Sequence, residues 1–301
     1  MAPMVLPDPA PAAAPPALAR YAVLGHPVAH SRSPFIHAAF ARATGEPVAY
    51  ERVLAPLDGF EATLRRFADA GGRGCNVTVP FKFAAHDLCP RRTERAALAG
   101  AANVIRFDAD GWLADNTDGV GLLHDIEHGA ATPLAGRRVL LIGAGGATAG
   151  VLGPLLGARP AELRLVNRTP ARADALVARH AEVALAHGVL LSAGALTAAG
   201  TDHDVVINAS ASSLAGDEVP VAPAALRPGG LAVDLMYGRA AQPFLDWAAA
   251  RPALGRDGLG MLVEQAAEAF WLWRGVRPAT APVLQALREQ LAAEARAAAT
   301  P

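Results

Sequence analysis

A continuous apolar run, Val139-Leu140-Leu141-Ile142, passes directly into Gly143-Ala144-Gly145-Gly146-Ala147. A strand with no polar alternate must be covered on both faces, which is the condition of a parallel sheet with helices above and below. Glycines right after it give a tight turn into a helix whose first amides are free to meet an anion. Thr148 stands where the dinucleotide fingerprint has its third glycine. A glycine turn alone can be a mere strand-to-helix connection. Here a strand precedes it, a helix follows, and another strand ends about one βαβ unit later, which makes it a nucleotide-loop candidate.

The same alternation runs along most of the chain. Strands are expected at Tyr21–Gly25, Ala49–Val53, Gly74–Val79, Glu162–Val166, Val205–Asn208 and Leu231–Leu235, and a hairpin over Asn103–Phe107 and Gly111–Ala114. Helices are expected over Ser33–Thr44 with Ser33 as cap, Leu57–Ala70, from Pro80, Gly119–His128, the glycine turn to about Leu156, Ala171–His180, Gly258–Gly275 and Pro282 to about Ala298. The fold class that follows is α/β with a parallel sheet. The 301 residues suit about two domains. Residues 1–19, almost wholly Ala and Pro, read as a disordered tail.

The net charge of -1 gives no electrostatic case for nucleic acid or an anionic membrane. No apolar run reaches membrane-spanning length without Gly, Pro or charge, and the proline-broken start lacks the basic region of a signal peptide. Cys75 and Cys89 form no metal or redox pattern. A cytoplasmic protein acting on a small molecule is the expectation. His26 and His30 are separated by Pro27 and have no acidic residue close in sequence, so no metal is expected.

The strand Glu162–Val166 leads into Asn167-Arg168-Thr169, with no acidic residue to bind a ribose 2′-hydroxyl. Arg168 offers a planar cation for a 2′-phosphate, Arg172 follows one helical turn on, and Thr169 can add a hydrogen bond, so NADP is favoured over NAD. Lys82 at a helix start is poorly placed to serve a helix dipole. Asp118 ahead of Gly119 is either a helix cap or a partner for a cation. Ser31 and Ser33, two apart in an extended loop, can point the same way. Thr78 and Asn103 suit a polyol but also ordinary turn chemistry. Gln265 lies in an apolar helix, where a buried amide needs partners. Trp271 and Trp273 are expected to pack in the core or against the other helices, not on a base.

Taken together, these motifs resemble shikimate dehydrogenase over roughly residues 20–290. The resemblance rests on Gly25-His26-Pro27-Val28 with Ser31-Arg32-Ser33-Pro34, on Asn76-Val77-Thr78-Val79-Pro80-Phe81-Lys82, and on Gly100-Ala101-Ala102-Asn103. It continues through Asp115-Asn116-Thr117-Asp118-Gly119, the glycine turn, Asn167-Arg168-Thr169 and Asp257-Gly258-Leu259-Gly260-Met261-Leu262-Val263-Glu264-Gln265. It implies a substrate-binding domain over 20–118 with 256–301, a Rossmann-type NADP-binding domain over 119–255, and C-terminal helices returning to the first domain. It implies NADPH-dependent reduction of 3-dehydroshikimate to shikimate, by a monomer or homodimer. Lys82 and Asp118 would be the catalytic pair, and Ser31, Ser33, Thr78, Asn103, Tyr237 and Gln265 would bind substrate. Gly143, Ala144, Gly145, Gly146, Ala147, Asn167, Arg168, Thr169 and Arg172, with Glu94, Met236, Gly258 and Met261, would line the cofactor site. Ala149 stands where family members often carry Arg, and Asn208-Ala209-Ser210-Ala211-Ser212 only loosely follows the family's Asn-Ala-Thr version. A quinate/shikimate dehydrogenase of broader substrate or NAD use is the alternative. A folate-type methylene dehydrogenase and a silent NADP-sensing module are more distant readings.

Overall fold

The computed structural model of the chain describes residues 18–210 and 219–299. Most of the expected tail and the residues after Ser210 in the Asn208–Ser212 segment fall outside that range. Ala19, counted with the tail from sequence, instead opens the first strand, where it pairs with Val48.

The first unit runs β1 (Ala19–Gly25), α1 (Ser33–Thr44), β2 (Val48–Leu54), α2 (Phe60–Asp69), β3 (Gly72–Val77) and α3 (Lys82–Leu88). It then continues through β4 (Arg91–Arg92), α4 (Glu94–Ala99), β5 (Val104–Arg106) and β6 (Leu113–Asp115). Its sheet has the order β2-β1-β3-β5-β6-β4. The pairings β1–β2, β1–β3 and β4–β6 are parallel, whereas β3–β5 and β5–β6 are antiparallel. Leu24, Phe60, Leu64 and Phe67 cover one face. Ile36, Phe40 and Phe270 pack on the other side, and Trp273 stacks on Tyr21 at 4.4 Å between ring centroids. Trp271 does not join that core. It is half exposed because it lies on the outer face of its helix.

Two local starts also differ. Ser33 is the first residue of α1 and caps nothing; Arg32 is the flanking residue, and the Ser33 amide donates to Ser31 Oγ at 3.3 Å. Pro80 does not begin α3. The strand stops at Val77, the Phe81 amide closes a turn onto Thr78 O at 3.0 Å, and Lys82 is the first helical residue.

α5 (Asp118–His124) leads by a π-turn (Asp125–Gly129) to the second unit. There follow β7 (Arg138–Ile142), α6 (Gly146–Gly157), β8 (Glu162–Asn167), α7 (Pro170–His187), β9 (Leu190–Ala195), β10 (His203–Asn208), β11 (Leu226–Asp234), α8 (Gln242–Ala249) and β12 (Leu254–Arg256). The sheet, order β12-β11-β10-β7-β8-β9, is parallel throughout. That is the doubly wound order with its switch point between β7 and β10. Helix α7 runs seven residues beyond the expected His180 and stops at Gly188, whose φ of 68° lies in the left-handed region. α9 (Leu259–Arg274) and α10 (Ala281–Ala299) return to the first unit. No helix among the described residues is long and apolar enough to cross a membrane.

Helix α5 is wedged where the units meet. A Cβ at Gly121 would lie 2.7 Å from Gln265 N and 2.9 Å from Met261 O, and one at Gly119 would lie 2.6 Å from Gly150 O. Only glycine lets α5 touch α9 and α6 at backbone distance. The contact brings the start of α5 beside Gln265.

Candidate active site

A cleft of about 1150 Å³ lies between the strand ends of the two sheets, with α10 forming part of its wall. Lys82 and Asp118 face each other in it. Lys82 Nζ donates to Asp118 Oδ2 at 2.5 Å, and the side chains are 15% and 7% exposed, so the pair is largely desolvated yet reachable. The Asp118 carboxylate caps nothing, since α5 begins without a side-chain cap. Its other oxygen, Oδ1, accepts from Asn103 Nδ2 at 2.8 Å. A carboxylate held on both oxygens is a fixed partner for the ammonium.

Asn103 is the junction of the site. Its Nδ2 also lies 3.0 Å from Thr117 Oγ1 and 3.2 Å from Gln265 Oε1, while its Oδ1 accepts the Thr117 amide at 2.8 Å. Two N–H bonds cannot satisfy three acceptors fully, so Gln265 and Thr117 keep capacity for an incoming hydroxyl. Gln265 Nε2 donates to Leu262 O of its own helix at 2.8 Å, a protein partner for the buried amide. Ser31 Oγ and Ser33 Oγ lie side by side at 3.2 Å on the cleft wall. Thr78 sits where a Cβ at Gly25 would come within 2.3 Å of its methyl group, so Gly25 makes room for it. Tyr237 lines the same wall, and burial raises its phenol above the ordinary value, which keeps it a neutral hydrogen-bond donor.

Asn76, not singled out from sequence, is a further cleft residue. It is buried, its Oδ1 accepts from Tyr50 OH at 2.7 Å, and its Nδ2 donates to Asn103 O at 3.3 Å. A polar amide in the buried end of the strand, between Cys75 and Val77, was the available signal.

The glycine turn adjoins the pair. A Cβ at Gly146 would lie 3.2 Å from Lys82 Cβ, so the lysine stem runs against the first residue of α6. Gly143 has φ 105°, and its amide donates to Val166 O at 2.8 Å, which places the turn beside the end of β8. Thr148 Oγ1 donates to Gly143 O at 2.9 Å and ties the turn to its helix, which gives a use for threonine at the third fingerprint position. Among the described residues a Cβ at Gly145 would meet nothing within 4 Å, and α6 starts with neither a side-chain cap nor an acidic residue. The free amides and open space fit a pyrophosphate. Arg168 and Arg172 are exposed at the adjoining strand end, and neither has an ion-pair partner among the described residues. Asn167 Nδ2 donates to Thr169 O at 2.9 Å and shapes that loop. Ala147, Met236, Gly258 and Met261 line the cleft itself. A Cβ at Gly258 would lie 2.4 Å from Leu235 O, so the chain passes closely there. Ala149 is buried against Ala99 and Ala101.

Glu94 is the exception among the cofactor residues. It is exposed on α4, on the rim of a separate small groove with Leu98, Gly153 and Pro154. The opposite face of α6 lines that groove, because residues 147 and 153 fall on different sides of the helix.

With an ammonium held by a carboxylate, hydroxyls converging from several elements and a phosphate-ready turn alongside, the cleft can exchange a proton with the oxygen of a hydroxylated substrate beside a dinucleotide.

Three family models match the chain in order. They are "Shikimate dehydrogenase substrate binding domain" over residues 23–105, "Shikimate / quinate 5-dehydrogenase" over 126–221 and "Shikimate 5'-dehydrogenase C-terminal domain" over 258–288. The chain is 62% identical over 275 residues to the shikimate dehydrogenase (NADP(+)) of Acidovorax sp. strain JS42, covering 91% of this chain and 98% of that one. Its backbone is similar to the crystal structure of an Ael1 enzyme from Pseudomonas putida, at 46% identity, TM-score 0.81 and coverage of 89% and 98%. It is similar also to shikimate 5-dehydrogenase from Thermus thermophilus in complex with NADP(H) and shikimate, at 32% identity, TM-score 0.78 and coverage of 90% and 99%.

Proposed function

Because the chain belongs to the shikimate dehydrogenase family, we propose that Lys82 and Asp118 serve it in the reversible, NADPH-dependent reduction of 3-dehydroshikimate to shikimate. It is an oxidoreductase of the shikimate pathway and uses NADP. When bound, NADPH supplies the hydride to the substrate carbon. The protein supplies the proton. In the reducing direction the Lys82 ammonium hydrogen-bonds the ketone oxygen, polarises the carbonyl and donates its proton to the forming alkoxide. In the oxidising direction the neutral amine takes the hydroxyl proton back. Asp118, 2.5 Å from Nζ, holds the amine in place and accepts from a substrate hydroxyl.

Ser31 and Ser33 donate to the substrate carboxylate, while Thr78, Asn103, Gln265 and Tyr237 meet its hydroxyls and ring. The amides of Gly143–Ala147 hold the cofactor's pyrophosphate. Arg168, with Thr169 and Arg172, meets its 2′-phosphate, and Met236, Gly258 and Met261 lie along its path into the cleft. The domain division follows the two sheets, with 20–118 and 256–301 holding substrate and 119–255 holding NADP. We place the enzyme in the cytoplasm, as a monomer or homodimer.

The observation that carries the reading is the Lys82–Asp118 pair meeting in one cleft beside Gly146. The test follows absorbance at the nicotinamide band with shikimate and NADP⁺, and in parallel with quinate and with NAD⁺. Turnover with the first pair, and at least tenfold lower kcat/KM for the other combinations (about 1.4 kcal/mol), is expected. Equal use of quinate would move the chain to the broader quinate/shikimate activity.

A further inference from the structure

We propose that Arg95 is a positioning residue that sets Asp118 and Gln265 at their working separation; the proposal rests on the catalytic reading of Lys82 and Asp118. Arg95 touches neither of them. From α4 its guanidinium reaches two elements at once. Nε and Nη2 grip Asp115 at the end of β6, at 2.6 Å to Oδ1 and 2.5 Å to Oδ2, and Nη1 donates to Glu268 Oε1 of α9 at 2.9 Å. The bidentate fork fixes direction as well as distance.

Each arm leads to the site. Asp115 is fully buried, and its Oδ1 also accepts the Asn116 amide at 2.7 Å and Thr93 Oγ1 at 2.6 Å. Asn116 in turn accepts the Asp118 amide on Oδ1 at 3.2 Å and donates from Nδ2 to Ala101 O at 2.9 Å. The pinned carboxylate therefore dictates the turn that aims Asp118. Behind that turn a Cβ at Gly150 would lie 2.5 Å from Asn116 Oδ1, so α6 leaves it no room to relax. On the other arm, Glu268 lies three residues, a little under one helical turn, beyond Gln265, and Arg277 holds its second oxygen. The two arms meet again on Asn103 Nδ2, at 2.8 Å from Asp118 Oδ1 and 3.2 Å from Gln265 Oε1. One guanidinium thus spans the strand end behind the catalytic carboxylate and the helix behind the substrate amide. Burial pushes the Asp115 carboxyl up, but the hydrogen bonds and charge of Arg95 outweigh it and hold the group below the usual carboxylate range.

The test is a double-mutant cycle on the full-length enzyme with shikimate and NADP⁺. Arg95→Lys keeps the charge and loses the fork. The expected result is a kcat lower by about 10- to 100-fold, in line with an ångström-scale misplacement, with NADP⁺ affinity by fluorescence titration unchanged. In an Asp118→Asn background the same change is expected to cost less than threefold in kcat, because the residue it positions is already gone. A purely structural role lowers the melting temperature and the active fraction equally in both backgrounds, and that outcome overturns the proposal. So does a kcat for Arg95→Lys within twofold of the parent. If Arg95→Lys fails to fold, Glu268→Gln carries the same cycle against Gln265→Ala, with non-additivity in shikimate KM expected and additivity overturning the claim. Lys82→Ala measured alongside separates the two readings. Retained turnover there removes the catalytic assignment itself, while lost turnover with an indifferent Arg95→Lys removes only the positioning role.

Discussion

His37 gives the chain a built-in acid sensitivity that can be measured. Its ring is fully buried in α1, stacked on Tyr50 at 4.2 Å between centroids and close to Phe40, Phe270 and Trp273. Among the described residues neither ring nitrogen finds a well-formed hydrogen bond. Burial lowers its pKa from 6.5 to about 3, with Asn76 as the one polar neighbour that opposes the shift. The folded ring refuses a proton that the unfolded chain accepts once the pH drops below 6.5. Its contribution is therefore complete above that value and drains away as the pH falls toward about 3. Between pH 6.5 and 4.5 the linkage amounts to about 2 kcal/mol of stability, near the limiting slope of ~1.4 kcal/mol per pH unit. His37→Phe, which fits an aromatic cage, removes this term. Urea unfolding followed by tryptophan fluorescence at half-unit pH steps reads it, since Trp273 stands 5.4 Å from the ring. The variant's stability is expected to rise relative to the parent by about 2 kcal/mol over that range. His180 and His203, also lowered by burial, remain in both proteins and cancel. A difference that stays constant from pH 6.5 to 4.5 refutes the reasoning, because it means the buried ring takes no part in the acid limb.

Other perturbations test separate parts of the account. Arg168→Asp is expected to lower the NADP⁺ to NAD⁺ ratio of kcat/KM by about 10- to 100-fold, the worth of one charge-assisted hydrogen bond; steady-state kinetics with both cofactors reads it, and an unchanged ratio places the 2′-phosphate elsewhere. Gly121→Ala forces a methyl to within 2.7 Å of Gln265 N. It should cost about 1–3 kcal/mol by chemical denaturation and raise shikimate KM, because α9 must back away. Arg256→Met strips the buried Asp125 of a guanidinium whose Nε lies 2.7 Å from Oδ2 where the units join. A loss of about 3–5 kcal/mol at neutral pH is expected, and a neutral effect in melting experiments would show that water reaches the carboxylate.

The parts of this fold that were legible in the residues are those where a local rule acts alone. Arg138–Ile142 reads as a strand covered on both faces because four successive apolar side chains allow little else. The run after Gly258 reads as a helix because its period persists to Gly275, whose left-handed conformation ends it. β4, β12 and α4 were missed because two to six residues carry no readable period. β9 was missed because its Leu190–Ala195 edge is only half-buried and alternates weakly. Where Glu94 falls was illegible for a related reason. Its position on a helix face depends on where α4 docks against α6, which no local pattern encodes. In the site, Lys82 and Asp118 are thirty-six positions apart, and Asn103 reaches the Asp118 carboxylate only because β5 and β6 pair antiparallel. The role of Arg95 lay beyond reading for the same cause, since its two partners come from β6 and α9.

The most direct measurement is the turnover of Lys82→Ala with shikimate and NADP⁺, read beside its equilibrium affinity for both ligands. A kcat lower by about 10²- to 10⁴-fold is expected, the usual worth of a positioned general acid–base, with NADP⁺ bound as in the parent and shikimate bound within a few-fold. A variant that folds, binds both ligands and turns over within a few-fold of the parent contradicts it, and the proton would have to come from another group in the cleft.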